Sequence, residues 1–250
     1  MKKHRWFAAL AAMVMELAVA GCSDDSSGNE FASGSSGGSG NSSGTGNSGV
    51  DYSKCAVGDF VLKGGTILSK DSTPESGTVA AVIVRVAADG KPALGVGIVH
   101  STSGLAWCTE SAAGYSTNIT ALQGDTDGSD GWEKLKAACS DAESNPENYP
   151  AWNYSLTYAK TNGLTGNLAT GWYLPTVAEL YTIYQNKTAV DASLLKAGGS
   201  QFGTSLYWSC CQYPSSNVDA RVLNFGNGNG MNYGGKNFNC NFVCSVRAFN

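Results

Sequence analysis

Apolar residues in the first third of the folded part of the chain come in short runs separated by glycine and polar turns. Phe60-Val61-Leu62 and Thr66-Ile67-Leu68 flank Gly64-Gly65, so Asp59–Ser69 predicts a β-hairpin. Val79–Ala87 is a β-branched run ended by the turn signal Asp89-Gly90, and Ala93–His100 reads as its partner strand. Gly104–Cys108 continues the β region. The period then lengthens. Asp130-Gly131-Trp132-Glu133 has capping-box spacing with Asp130 at the cap, and predicts a helix to about Ala142. Ala151–Thr161 predicts a second helix, with Trp152, Leu156 and Ala159 on one side. Thr176-Val177-Ala178-Glu179 is a full capping box after Pro175, for a helix to about Gln185 with Leu180, Ile183 and Tyr184 inward. Asp191–Ala197 predicts a short helix stopped by Gly198-Gly199.

Strand character resumes at Leu206. Tyr207-Trp208, Val222-Leu223-Asn224-Phe225 and Phe242–Val246 carry bulky apolar residues, and the filling between them is rich in Asn and Gly. Strands first, helices in the middle and strands last predict an α+β fold. A fixed apolar framework with irregular polar filling is the pattern of a binding surface on a rigid scaffold.

The amino terminus reads as an export signal. Lys2, Lys3 and Arg5 precede a mostly apolar stretch from Trp6 to Ala20, and Val19-Ala20-Gly21-Cys22 matches a lipobox. Residues 1–21 are therefore expected to be a lipoprotein signal peptide, with Cys22 as the lipid anchor. Ser23–Gly49 holds 21 Ser, Gly or Asn among 27 residues, too polar to offset its ordering entropy. With Cys22 it forms an expected flexible tether, residues 22–49, spanning roughly 30 Å. Residues 50–250 are long enough for one domain with a sizeable core.

Without the signal, 13 basic residues face 19 acidic ones, a net charge of −6. With no basic cluster in view, a nucleic-acid partner is not expected. General acid–base chemistry at neutral pH most often uses His, and beyond the signal only His100 is available, in a strand-like run that suggests a structural role. Asp125-Thr126-Asp127-Gly128-Ser129-Asp130 resembles the start of a calcium loop, but Asp130 stands where that loop needs Gly and Lys136 where it needs Glu. The spacing of Gly226, Gly228 and Gly230 is not that of a dinucleotide fingerprint. Seven cysteines remain besides Cys22, at 55, 108, 139, 210, 211, 240 and 244, with no C-x-x-C pair to suggest zinc. Cys108, Cys139 and Cys244 lie in apolar contexts that suit core residues. No catalytic residue, metal site or cofactor is expected.

Gly171-Trp172-Tyr173-Leu174-Pro175-Thr176-Val177-Ala178-Glu179-Leu180, followed by Tyr207-Trp208-Ser209, Leu223-Asn224-Phe225 and Val246-Arg247-Ala248-Phe249, resembles the C-type-lectin-fold domains of bacterial lipoproteins related to formylglycine-generating enzyme. Within that group the chain is similar to spirochaete variable lipoproteins diversified by retroelements. Asp127–Glu133 and Tyr149–Tyr154 resemble the group more loosely. The resemblance covers roughly residues 55–250 and implies a C-type lectin fold of the formylglycine-generating-enzyme-like subtype.

It also implies that a reverse transcriptase randomises adenines in a copy of the 3′ end of the gene, chiefly at AAY codons for Asn. Randomising both adenines of AAC cannot yield Lys, Glu, Gln, Met or Trp. From Tyr213 to Phe242, thirty residues of which eight are Asn, only Met231 and Lys236 fall in that unreachable set. The implied variable region is about 207–250, and its expected ligand-contacting residues are Cys210, Cys211, Tyr213, Asp219, Arg221, Asn232, Tyr233, Asn237, Phe238, Asn239 and Cys240. Tyr213, Tyr233, Phe238 and Arg221 would supply most of the affinity, as aromatics and Arg do at hot spots. A core position for Tyr233 and Phe238 is the alternative. Trp208, Leu223, Phe225, Val243 and Val246 would stay buried as framework. The implied protein is a monomer at the outer membrane, held by its N-terminal lipid and facing outward. It would bind a protein or another host or microbial surface ligand. A fixed-specificity adhesin or lectin-like lipoprotein of the same fold is the alternative. The enzyme relation is one of fold, which does not carry function.

Overall fold

The computed structural model describes residues 51–249. The expected signal peptide, the Cys22 anchor and the tether to residue 49 lie outside the described residues.

Among the described residues, two antiparallel sheets and five α-helices, with four short 3₁₀ turns, make up the fold. The larger sheet holds β1 (Phe60–Leu62), β2 (Ile67–Leu68), β3 (Val79–Arg85), β4 (Ala93–Gly97), β5 (Trp172–Tyr173) and β9 (Val246–Phe249), in the order β2-β1-β3-β4-β9-β5. The smaller sheet has the order β6-β7-β8, from β6 (Leu206–Gln212), β7 (Asp219–Asn224) and β8 (Tyr233–Gly235). Between them in sequence come α1 (Gly131–Ala138), α2 (Pro150–Leu156), α3 (Tyr158–Thr161), α4 (Val177–Gln185) and α5 (Lys187–Lys196). This is the α+β arrangement expected from the sequence.

The continuous apolar run of β3 follows from burial on both faces of the sheet. Val82 and Val84 pack with Phe60, Leu94, Val96 and Val246 against Leu180 and Ile183 of α4 and Val190 and Leu194 of α5. Ala81 and Ile83 point the other way, toward Tyr158, Leu168, Trp172 and Phe249. Asp89 (φ 52°) and Gly90 (φ 73°) turn β3 into β4 with both residues left-handed, the geometry that a two-residue hairpin loop requires. A third apolar cluster lies under the smaller sheet, where Trp208, Ala220 and Val222 meet Trp107, Leu135 and Trp152.

The segment 242–249 joins the two sheets. Trp208 N–H donates to the Phe242 carbonyl (2.9 Å), and Phe242 N–H donates to that of Leu206 (2.8 Å). Further along, Ser101 N–H donates to Val243 O (2.9 Å) and Gly97 N–H to Ser245 O (2.9 Å) before β9 pairs with both β4 and β5. The strand expected at Phe242–Val246 therefore begins only at Val246, because its first residues serve the smaller sheet.

Three helices depart from expectation. Asp130 does not cap α1: its backbone (φ −104°, ψ 5°) is not extended, and its carboxylate pairs with Lys134 (2.8 Å). That helix ends at Ala138 rather than Ala142. The single helix expected over Ala151–Thr161 is split at Thr157 into α2 and α3, which turns Leu156 outward while Trp152 and Ala159 stay buried. The helix expected at Asp191 starts at Lys187, where a Lys187–Asp191 ion pair (2.7 Å, one turn apart) supports its first turns. At its end Gly198 adopts φ 71°, the left-handed stop the sequence implied. The capping box at Thr176 is formed in both directions, and Gly230 and Gly228 lie in the loop over that helix.

His100 is a buried structural residue. Its ring lies 4.4 Å from that of Phe202, and Nδ1 is 2.9 Å from the Tyr207 hydroxyl. Nε2 is buried without a partner, and burial pushes the imidazole down to about 3. A group depressed from an ordinary value near 6.5 is held neutral by folding. Its contribution is complete above that value and is lost as pH falls from 6.5 toward 3. Urea unfolding at pH 5 should show about 2 kcal/mol less stability than at pH 7, and His100→Gln should remove most of that difference. An equal loss in both proteins would assign the acid sensitivity elsewhere.

Candidate functional site

The candidate site is the outer face of the smaller sheet. Alternation along β7 divides its residues: Ala220 and Val222 are buried, whereas Asp219 and Arg221 are half-buried and face out. Arg221 is directly paired with Tyr233 across β7 and β8. Tyr213, on the loop leaving β6, stacks on Tyr233 with centroids 4.2 Å apart and planes inclined by 17°. The Arg221 guanidinium lies 5.5 Å from the Tyr213 ring, a cation–π arrangement. It also donates to the Gly230 carbonyl (3.4 Å) and approaches the Met231 sulfur (3.7 Å).

Tyr233 (55 % exposed), Phe238 (57 %) and Met231 (72 %) are solvent-facing apolar side chains in this region. Their exposure excludes the core alternative for Tyr233 and Phe238. Asn239 and Cys240 are exposed as well, and Asn232 and Asn237 are half-buried. Asn237 donates to the Glu110 carboxylate (2.7 Å), and Asn232 accepts from Asn229 (3.3 Å). The five framework residues Trp208, Leu223, Phe225, Val243 and Val246 are buried, each at most 2 % exposed.

Cys210 and Cys211 depart from expectation. Both were expected on the ligand-contacting face, and both are buried. The register of β6 shifts between Trp208 and Gln212, so neighbouring side chains in this stretch do not simply alternate between faces. Cys210 packs in the cluster with Trp152 and Trp208, and Cys210 N–H donates to Pro175 O (2.8 Å), fastening the strand to the entry of α4. Cys211 lines a cleft of about 420 Å³ that opens beside Arg221 and Met231. All seven cysteines among the described residues are free thiols.

Two residues that hold the face in place were not assigned that role from sequence. The Gln212 amide donates to the carbonyls of Tyr213 (3.3 Å), Ser216 (2.6 Å) and Asp219 (3.2 Å), which clamps the loop carrying Tyr213. Lys236 follows β8 and is fully buried. Its ammonium donates to the carbonyls of Gly114 (2.7 Å) and Thr117 (3.2 Å) and sits 4.9 Å from the Trp107 ring. Burial pushes its pKa down to about 8. The available signal for Lys236 was its place among residues that randomised AAC codons cannot produce.

A lysine depressed from about 10.5 in the unfolded chain binds its proton less well when folded. Stability from this group therefore grows as pH rises from 8 toward 10.5 and is lost as pH falls back through that window. Replacing Lys236 with Met should abolish this term. The stability of the parent protein, measured relative to that variant by denaturant titration, should rise by about 2 kcal/mol between pH 8 and pH 10. A constant difference would contradict the depressed ammonium.

No family model matches this chain, and no curated protein matches it. Among solved structures, a fimbrial protein from Bacteroides ovatus shares the fold with a TM-score of 0.58 at 13% sequence identity. The likeness covers 78% of this chain and 49% of that one, so this chain spans about half the length of the fimbrial structure. At that identity the relation is one of fold, a mixed architecture of helices and antiparallel sheets.

Proposed function

We propose that this chain is a surface-displayed binding protein, held by lipid on Cys22, whose C-terminal face recognises a protein partner. The observation that carries the reading is the stack of half-buried Tyr213 on exposed Tyr233 with half-buried Arg221, near exposed Phe238 and Met231, on a sheet whose framework residues are buried. Stacked aromatics offer large contact area at little entropic cost, and a guanidinium beside them adds hydrogen bonding. The nearby Asn, Ser and Gly residues supply adaptable polar contacts, as in antibody paratopes. Catalysis forms no part of the reading, and neither does a nucleic-acid partner.

The finer reading is a C-type lectin fold of the formylglycine-generating-enzyme-like subtype, diversified at its 3′ end by a retroelement and displayed on the outer membrane. Two features support it. The filling between Tyr213 and Phe242 consists almost wholly of residues that randomised AAC codons can encode. Lys236, one of the two exceptions, is a buried anchor rather than a surface residue. A fimbrial protein of similar fold is compatible with an adhesin-like role.

Tyr233→Ala together with Phe238→Ala should leave the thermal transition within a few degrees of the parent, because both side chains are exposed. The same pair should weaken binding to a partner recovered by display screening at least roughly a hundredfold. Loss of the folding transition, or unchanged affinity, would sink the assignment. Deep sequencing of the 3′ end of the gene in a population tests diversification. Changes confined to codons between Cys210 and Phe242, at adenines of a nearby template repeat, are expected. An invariant 3′ end would leave a fixed-specificity adhesin.

A further inference from the structure

We propose that Asn229 is a self-modifying site, an asparagine that closes on the Gly230 backbone to a succinimide and reopens as aspartate or isoaspartate. It lies in the loop between β7 and β8, at the margin of the proposed recognition face, but the chemistry does not depend on that reading. Three Asn-Gly pairs occur among the described residues: Asn162-Gly163, Asn227-Gly228 and Asn229-Gly230. Glycine has no side chain to hinder its nitrogen, so all three are candidates by sequence. Their hydrogen bonds separate them.

The Asn162 carboxamide turns back to the Tyr158 carbonyl (2.8 Å), away from Gly163, and Gly163 N–H donates to Lys160 O (3.3 Å). Asn227 Oδ1 accepts from Asn229 N–H (3.0 Å) in an Asx turn, but Gly228 N–H donates to Asn224 O (2.8 Å). A backbone nitrogen must shed its proton to attack, and one engaged with a carbonyl gives up a hydrogen bond to do so. Asn229 is exposed and free of both obstacles. Its Oδ1 accepts from Met231 N–H (2.9 Å) and its Nδ2 donates to Asn232 Oδ1 (3.3 Å), so the carboxamide is drawn forward along the Gly230 peptide. Gly230 N–H has no hydrogen-bond partner among the described residues. The Met231 amide also stands where negative charge develops on Oδ1 during attack. Packing requires the glycine: a Cβ at 230 would lie 2.8 Å from Val177 Cγ1 and 3.2 Å from Leu223 Cδ1.

In the first step the deprotonated Gly230 nitrogen attacks Asn229 Cγ. A C–N bond forms, closing the five-membered imide, and the Cγ–Nδ2 bond breaks. The amide leaves as ammonia and carries off the proton that Gly230 released. Water then adds to either imide carbonyl and opens the ring, with no change of oxidation state. The product carboxylate stands one residue from the Gly230 carbonyl that Arg221 holds (3.4 Å), so modification adds a negative charge near that guanidinium. The isoaspartyl form also inserts a methylene into the backbone between the Asn224–Asn229 bridge and β8.

Full-chain protein should be incubated at neutral and at mildly alkaline pH, both native and in urea, and its peptides mapped by mass spectrometry for conversion of amide to acid. In the native protein Asn229 should convert at least roughly fivefold faster than Asn227 or Asn162, and faster at the higher pH. In urea the three sites should convert at similar rates. Hydroxylamine, which cleaves succinimides, should cut the incubated native chain after residue 229. Asn229→Gln, which would need a six-membered ring, should abolish conversion at this site and leave the thermal transition unchanged. An unreacted Asn229, comparable rates at the three sites in the native protein, or the same ranking of sites in urea would each overturn the proposal. None of these readouts involves a protein partner, so failure here leaves the recognition surface untouched, and failure of partner binding leaves Asn229 untouched.

Discussion

The carboxylate of Glu179 is the constraint on which the geometry of the site depends. It is buried, and it accepts four hydrogen bonds: from the Tyr173 hydroxyl (2.7 Å), the Thr176 amide (2.8 Å), the Thr176 hydroxyl (3.1 Å) and the Gly128 amide (3.2 Å). Burial pushes its pKa up, and the bonds from Thr176 and Tyr173 oppose that shift. A carboxylate removed from water without such donors would cost several kcal/mol. With them it ties three pieces of chain together: β5, the entry of α4, and the 125–130 loop. Gly128 must be glycine for this to close, since a Cβ there would lie 2.9 Å from the Leu174 carbonyl and 3.0 Å from the Glu179 carboxylate. Once α4 is placed, Pro175 receives the Cys210 amide, and the smaller sheet is positioned against the larger.

The smaller sheet then separates two tasks by alternation. Inward residues of β6 and β7 fill the cluster around Trp107 and Trp152, and outward residues present Arg221 and Asp219. The loops between strands would wander without restraint. Gln212 draws three carbonyls onto one amide, and Lys236 reaches across to the 114–117 segment. Both use long polar side chains turned inward beneath exposed aromatic ones. Outer positions are thereby relieved of structural duty, which is what permits a surface to vary while its fold persists.

Much of the framework was legible in the sequence because its signals are local. The Thr176–Glu179 box, the Asp89-Gly90 turn and the Gly198 stop each depend on a few adjacent residues, and each formed. Asp130 had the same spacing but a lysine one turn later drew its carboxylate away. No glycine or proline marks the break at Thr157, and the late start of β9 at Val246 arises from distant partners that take up Phe242, Val243 and Ser245, of which spacing along the chain carries no trace. The small strand β8, Tyr233-Gly234-Gly235, lacks the β-branched residues by which strands are read and is held by pairing with β7. At the site, exposure of Tyr233 and Phe238 followed from their setting in polar filling. Burial of Cys210 and Cys211 did not, because a register shift in β6 leaves no mark in a short stretch of sequence.

The position of β9 has a consequence for how such a protein is made. That strand lies in the interior of the larger sheet, between β4 and β5, yet it is synthesised after every loop of the outer face. A ribosome that halts or shifts frame anywhere in the Asn-rich stretch releases a chain whose principal sheet is missing an interior strand. Such a chain exposes the edges of β4 and β5 and is open to proteases and to aggregation. Persistence of the folded protein thus depends on translation running correctly through the whole of the segment 213–242 that precedes β9.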